Sequence, residues 1–237
     1  TRGIMSTHVS RPGDDETDME SMELFDLECT LRRGEYNVTD FVYAFERGHS
    51  QSPDRTTLRS EGLIERTDKG NDDASWSDRL NDVTQETYAP IGQRYHTQGL
   101  QLQLSRDAVR QRLEQLESDQ PPWPQVLASL EQALTKTVAI VANCDQQDFR
   151  VKTTLTDDTV DLLVVDSRQG GNGITWQVTQ ELTGEFPTIL EDIAACSKCA
   201  DFCEECLLLA RTPPAYLEND LLNKHTLRAA MGLGTIK

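Results

Sequence analysis

The chain has 237 residues, with 40 Asp and Glu against 23 Lys and Arg, a formal net charge of −17. A surface this acidic repels phosphate backbones at ordinary salt and gives no support to autonomous nucleic-acid binding, although a local Arg patch or high salt would leave that route open. No run approaches the ~18 apolar residues a membrane-spanning helix needs, and the opening residues TRGIMSTHVSRPGDDETDMES lack the apolar core of a secretory signal, so no membrane partner is expected.

Residues 1–22 read as a disordered lead-in, and a first residue of Thr in place of Met suggests a fragment of a longer protein. Residues 36–48, YNVTDFVYAFERG, are β-branched and aromatic and end on a glycine, which predicts a strand. Residues 49–84 hold GHSQSPDRTT and TDKGNDDASWSDR, both of loop character. The stretch 1–84 is therefore expected to be a disordered lead-in plus a small β-rich subdomain. A second domain is expected over 85–237, and from Tyr88 the pattern tightens. GLQLQLS places Leu100, Leu102 and Leu104 on one face and Gln101 and Gln103 on the other, as in a half-buried strand. Ser105 caps a helix carrying Val109, Leu113 and Leu116 at helical spacing, and the prolines of SDQPPWP stop it. A longer helix over 125–142 keeps its period through Leu127, Leu130, Leu134, Val138 and Val141. FRVKTTLTDDTVDLLVVDS reads as two strands about TDD, the second so continuous in apolar residues that both its faces should be buried. Helices are predicted over 174–183, over 187–195 with Pro187 in the first turn, and over 215–231. The fold class is α+β: a mixed small sheet packed with several helices.

Four of the six cysteines fall in CSKCADFCEEC as C-x2-C-x3-C-x2-C. Nothing indicates secretion, and paired thiols two residues apart favour a metal over disulfides, in a reducing, cytoplasmic compartment. Cys196, Cys199, Cys203 and Cys206 form a closed four-thiolate set that suits structural zinc and leaves no open position for water. An iron–sulfur cluster is the competitor, but its usual spacing differs, and a redox dithiol is the third reading. Cys29 and Cys144 stand apart, Cys144 reading as a small buried hydrophobe.

VVDSRQGGNG runs from a buried strand through a glycine turn into a helix, a place where phosphates bind on helix N-terminal amides. Asp166, Gly170, Gly171 and Gly173 are thus a candidate ligand loop, and a nucleotide- or phosphate-binding enzyme is the alternative function. The loop has neither the G-x-G-x-x-G pattern nor the G-K-[ST] of a P-loop, and a tight turn needing glycines for positive φ is the simpler reading. His96 in RYHTQG has no second His nearby and reads as a structural hydrogen-bonding residue. No catalytic motif and no Walker A sequence is present.

Taken together and in order, LASLEQALTKTVAIVANCDQQDF, VVDSRQGGNGI, CSKCADFCEEC and LLNKHTL resemble the C-terminal zinc-binding domain of the MrfA-type helicases. The same domain occurs in DrmB, a component of the DISARM antiphage system. The resemblance covers roughly residues 88–237. It implies that Cys196, Cys199, Cys203 and Cys206 are zinc ligands, that Asp166, Gly170, Gly171 and Gly173 form the family's glycine loop, and that Leu222, Asn223 and Lys224 start the last helix. Gln169 stands where a Pro is usual, Phe202 and Glu204 flank the third cysteine in place of Gly and Pro, and Asn223 replaces an Asp. The resemblance further implies a zinc-binding accessory module of a helicase-based DNA repair or antiphage defence system. It would be partnered by a superfamily 2 helicase, reach DNA through that complex, and have no ATPase activity of its own. A degenerate fragment that folds without function is the remaining expectation.

Overall fold

The computed structural model describes residues 2–10, 18–46, 55–58, 64–68, 91–114 and 121–233. The chain divides into two compact units, one of Thr1–Arg11 with Asn37–His96 and the other of Pro12–Tyr36 with Thr97–Lys237. In the first unit, strand β1 (Arg2–Ser10) pairs antiparallel with the later part of β3 (Leu27–Glu46), with an irregularity in register between Ile4 and Met5. Strands β4 (Arg55–Leu58) and β5 (Ile64–Asp68) form a separate antiparallel pair. GHSQSPDRTT and TDKGNDDASWSDR lie largely outside the described residues.

The second unit carries the chemistry. Strand β2 (Asp18–Leu24) folds back on the first part of β3 through a turn at Phe25 and Asp26, both at positive φ. Residues 1–22, expected to be disordered, thus hold β1 and the greater part of β2. Both strands are recruited by a β3 that starts nine residues earlier than its aromatic core suggests. Alternation explains the extension: Leu27, Cys29 and Leu31 are buried at every second position. Tyr36 of β3 stacks over Gly99 of β6 (Ile91–Ser105), and its hydroxyl donates to Gln101 Oε1 at 3.4 Å. Strand β6 then pairs antiparallel with β8 (Thr159–Asp166), which pairs antiparallel with β7 (Phe149–Leu155).

The alternation in GLQLQLS holds. Leu100, Leu102 and Leu104 are buried, while Gln101 and Gln103 donate from the opposite face to the two carboxylate oxygens of Asp161 at 3.0 and 3.1 Å. One face of β8 is buried throughout, and the other is half-buried until Val165.

Helix α1 (Arg106–Leu113) begins as expected at Ser105, whose hydroxyl accepts from the Ala108 amide; Leu116 lies outside the described residues. Helix α2 (Trp123–Val141) buries Val126, Leu130, Ala133, Leu134 and Val138 along one stripe. Two helix boundaries differ from expectation. Helix α3 (Ile174–Ala195) is continuous through Pro187, where two helices were predicted. Its stripe Val178, Leu182, Phe186, Ile189, Leu190 and Ile193 stays on one face across the proline. Burying such side chains contributes about 1.5–3 kcal/mol each, which outweighs the roughly 3 kcal/mol cost of an interior proline. The Thr188 hydroxyl also donates to the Gly184 carbonyl at 3.0 Å, supporting the backbone at that turn. Conversely, the predicted helix over 215–231 is two: α4 (Pro214–Glu218) and α5 (Lys224–Met231). Asp220 at positive φ ends the first, and Asn223 caps the second by accepting from the Thr226 amide at 2.9 Å. No described helix is long and apolar enough to cross a membrane.

The C-terminal segment has more apolar anchorage than its sequence suggests: Leu222, Leu227, Ala230 and Met231 join the core. Helix α5 is held at its far end by Arg112, which donates to the carbonyls of Met231 and Phe25 at 2.6 Å each.

A side chain at position 99 has nowhere to go, because a Cβ there would sit 2.3 Å from Tyr36 Cδ2. Gly99→Ala is expected to destabilise the protein by about 1–3 kcal/mol in urea unfolding, even though the same change ordinarily stabilises by stiffening the unfolded chain. Unchanged or raised stability would show that the Tyr36 stack yields freely.

Candidate metal centre

The cysteine cluster begins where α3 ends. Cys196 is the C-terminal cap of that helix, its amide donating to the Ile193 carbonyl at 3.2 Å, so a rigid element sets the first thiol. Only Ala200, Asp201 and Phe202 separate the two pairs. The second pair is tightened by amides of Cys206 and Leu208 that both donate to the Cys203 carbonyl at 3.0 Å. The Cys203 amide donates in turn to Cys206 Sγ at 3.1 Å.

The four ligand sulfurs all lie within 4.8 Å of one another. Sγ of Cys196 is 3.7 Å from that of Cys203 and 3.8 Å from that of Cys199, and Sγ of Cys206 is 3.6 Å from those of Cys199 and Cys203. Four sulfurs about 2.3 Å from one zinc ion in a tetrahedron stand about 3.8 Å apart. The donor set therefore fits a single tetrahedral ion. An iron–sulfur cluster spreads its cysteines over several irons and would need a wider opening. The cluster is a zinc site: its four donors leave no position for water, which makes it structural.

The surroundings shift three of the thiols in different directions. Burial, then hydrogen bonds with the other three thiols, pushes Cys199 up to about 12. A backbone amide, that of Glu205, brings Cys203 down to about 7, and burial raises Cys206.

What surrounds the thiols was not apparent in the sequence. Helix α2 carries, beside its apolar stripe, a polar row at helical spacing: Gln125, Ser129, Gln132 and Lys136. Each grips the C-terminal segment. Lys136 Nζ donates to the carbonyls of Glu205 at 2.5 Å and Cys206 at 3.3 Å. Gln132 Oε1 accepts from the Thr212 hydroxyl at 2.8 Å. Ser129 Oγ accepts from the Asn223 amide at 2.9 Å and donates to its carbonyl at 3.3 Å. Gln125 accepts from the Thr226 hydroxyl at 3.2 Å and donates to the Asp220 carbonyl at 3.2 Å. Glu131 adds a fifth tie by accepting from the Tyr216 hydroxyl at 2.8 Å; burial raises its carboxyl above the ordinary value. Helix α5 meets the knot directly: the Lys224 amide donates to the Asp201 carbonyl at 3.0 Å, Asn223 Nδ2 to Asp201 Oδ1 at 3.1 Å, and the His225 ring bonds the Ala200 carbonyl at 2.9 Å. Asn223, where the related pattern has Asp, supplies both the cap and this second bond.

The glycine loop is a separate construction. Asp166 is fully buried. Its Oδ2 accepts from the amides of Asn172 at 2.8 Å and Gly173 at 2.9 Å, and its Oδ1 accepts from the Thr175 amide at 3.0 Å. The carboxylate thus takes the place a bound phosphate would occupy at the start of α3. Gly170, Gly171 and Gly173 all have positive φ, and at Gly171 a Cβ would also come within 3.0 Å of Asp166 Oδ2. His96 lies exposed on β6. Cys29 is buried, which pushes its thiol up to about 11, whereas Cys144 is half-buried and packs against the core rather than within it.

Residues 130–207 match the family model described as the MrfA Zn-binding domain, from the middle of α2 to the residue after the fourth cysteine. Among solved structures, the DUF1998 helicase MrfA bound to DNA is similar with a TM-score of 0.50 and 14% identity, over 92% of this chain and 25% of that one. The same helicase bound to DNA and AMPPNP is similar with a TM-score of 0.39 and 10% identity, over 97% of this chain and 22% of that one. The first is a likeness of fold. The chain spans about a quarter of the length of the helicase chains it matches. No curated protein sequence matches.

Structural zinc contributes ~10–16 kcal/mol of apparent binding free energy in small peptides. Cys199→Ser, or stripping the metal with a strong chelator, is therefore expected to lower the thermal midpoint substantially. A melting curve unchanged after verified zinc loss would contradict the stapling role. Asp166→Ala removes the acceptor of three amides and is expected to cost about 2–4 kcal/mol, measured by urea unfolding. A neutral effect would show that water replaces the carboxylate.

Proposed function

We propose that this chain is a zinc-binding accessory module of a helicase-based DNA repair or antiphage defence system. Its role is structural and recognitional, with no ATPase activity of its own. The observation that carries the reading is the four-cysteine site itself, which closes the segment matching the MrfA Zn-binding domain. That a similar fold occurs in a helicase bound to DNA supports a helicase and DNA context. The net charge of −17 favours reaching DNA within a complex over binding it alone. The partner is a superfamily 2 helicase or helicase-like subunit, the setting is cytoplasmic, and a DrmB-like role in antiphage defence is one form this accessory role takes.

The physical argument for a non-catalytic role is twofold. A tetrahedron filled by four thiolates has no site to polarise a substrate, and the glycine loop is closed by Asp166. What the chain offers instead is a rigid frame in which one helix end, one tight turn and the start of a second helix are fixed by a single ion.

Reconstitution tests this reading. The zinc-loaded chain is expected to hydrolyse no ATP, with or without DNA, and to associate with a superfamily 2 helicase from its own host. Its addition should change that helicase's DNA binding. ATP turnover by the chain alone, or an absence of association across a range of salt, would contradict it.

A further inference from the structure

Zinc in a four-thiolate site leaves two negative charges in excess, and at a half-buried site that excess is poorly solvated. This chain is sparing with lysine: six of 23 basic residues, of which Lys136, Lys198 and Lys224 all contact the knot. Lys198 pairs with Glu205 on the exposed rim, and Lys136 grips backbone carbonyls. Lys224 differs from both. It is only 4% exposed. Its Nζ donates to the carbonyls of Cys196 and Cys199, the latter at 2.5 Å, and lies 3.6 Å from Cys199 Sγ. An ammonium has three donors, and here they meet three acceptors. Among the described residues Lys224 makes no ion pair with a carboxylate. A buried ammonium is costly unless negative charge stands close by, and the charge that stands close is the thiolate set.

We infer that Lys224 is the charge-compensating and positioning residue of the zinc centre: its ammonium offsets the excess charge of the four thiolates and fixes the Cys196–Cys199 turn. The inference rests on the zinc reading and deepens it. Because Lys224 opens α5, zinc occupancy and the seating of that helix are coupled through one side chain. Carbonyls alone would accept from any donor, whereas the ammonium supplies a positive charge together with its three directed bonds.

The test compares Lys224→Met, Lys224→Gln and the control Leu227→Ala, a core change in the same helix. Zinc stoichiometry is measured first, then zinc affinity by competition with a chromophoric chelator, then the thiolate-to-metal charge-transfer band of the cobalt-substituted proteins. Lys224→Met is expected to weaken zinc about 10–100-fold, the usual effect of removing an outer-shell partner, and to shift the cobalt band. Leu227→Ala should lower the melting midpoint with affinity and band unchanged. Lys224→Gln, which keeps N–H donors but no charge, should lose affinity as Met does, and it decides the matter if the Met variant fails to fold. Wild-type affinity in the Gln variant, or equal losses in the Lys224 variants and Leu227→Ala, overturns the inference while leaving zinc in place. A wild-type protein that takes up no zinc overturns both.

Discussion

Four thiolates drawn within 4.8 Å of one another repel strongly, and a cation held among them removes that repulsion. Much of the second unit's C-terminal architecture follows from satisfying that demand. A helix end fixes the first sulfur, a three-residue turn between the pairs brings the third within reach, and lysines from two other helices hold the surrounding carbonyls. A zinc ion bound there would stand in for a core in a stretch where, among residues 196–220, only Cys206 and Leu207 are buried.

Helix α2 is the other half of the arrangement. Its apolar stripe packs into the main core, and its polar row receives residues 205–226 running back along it in the opposite direction. A chain segment poor in apolar side chains is thereby aligned by hydrogen bonds at four successive helical positions, and both its ends are anchored. The knot holds one end. Leu227, Ala230 and Met231, with Arg112 on the last carbonyl, hold the other. The glycine loop serves the same order one step earlier. By closing on Asp166 it fixes the start of α3, and α3 delivers Cys196.

Local patterns were legible in the sequence and long-range ones were not. The period-two run of Leu100, Leu102 and Leu104, the Ser105 cap, the apolar stripe of α2 and the four-thiol spacing each signal their structure within a dozen residues. Pro187 misled because the stripe that overrides it faces a core no local window reveals. Asn223 misled in the opposite sense, since its neighbours read as helix while its side chain caps one. The row Gln125, Ser129, Gln132 and Lys136 had the right period to be noticed, but polar residues on a helix normally mark its wet face. Lys224 was visible only as part of a helix-start pattern. Its role depends on Cys196 and Cys199, 28 and 25 residues earlier in the chain.

The central claim is that one zinc ion holds the knot and the start of α5 against a core that stands without it. Amide hydrogen exchange on zinc-loaded and metal-stripped protein tests this most directly. Stripping is predicted to speed exchange across residues 196–208 and at the first turn of α5, while β6, β7, β8 and the apolar stripe of α2 keep their protection. Protection unchanged throughout, or lost equally in the sheet and the knot, would contradict it.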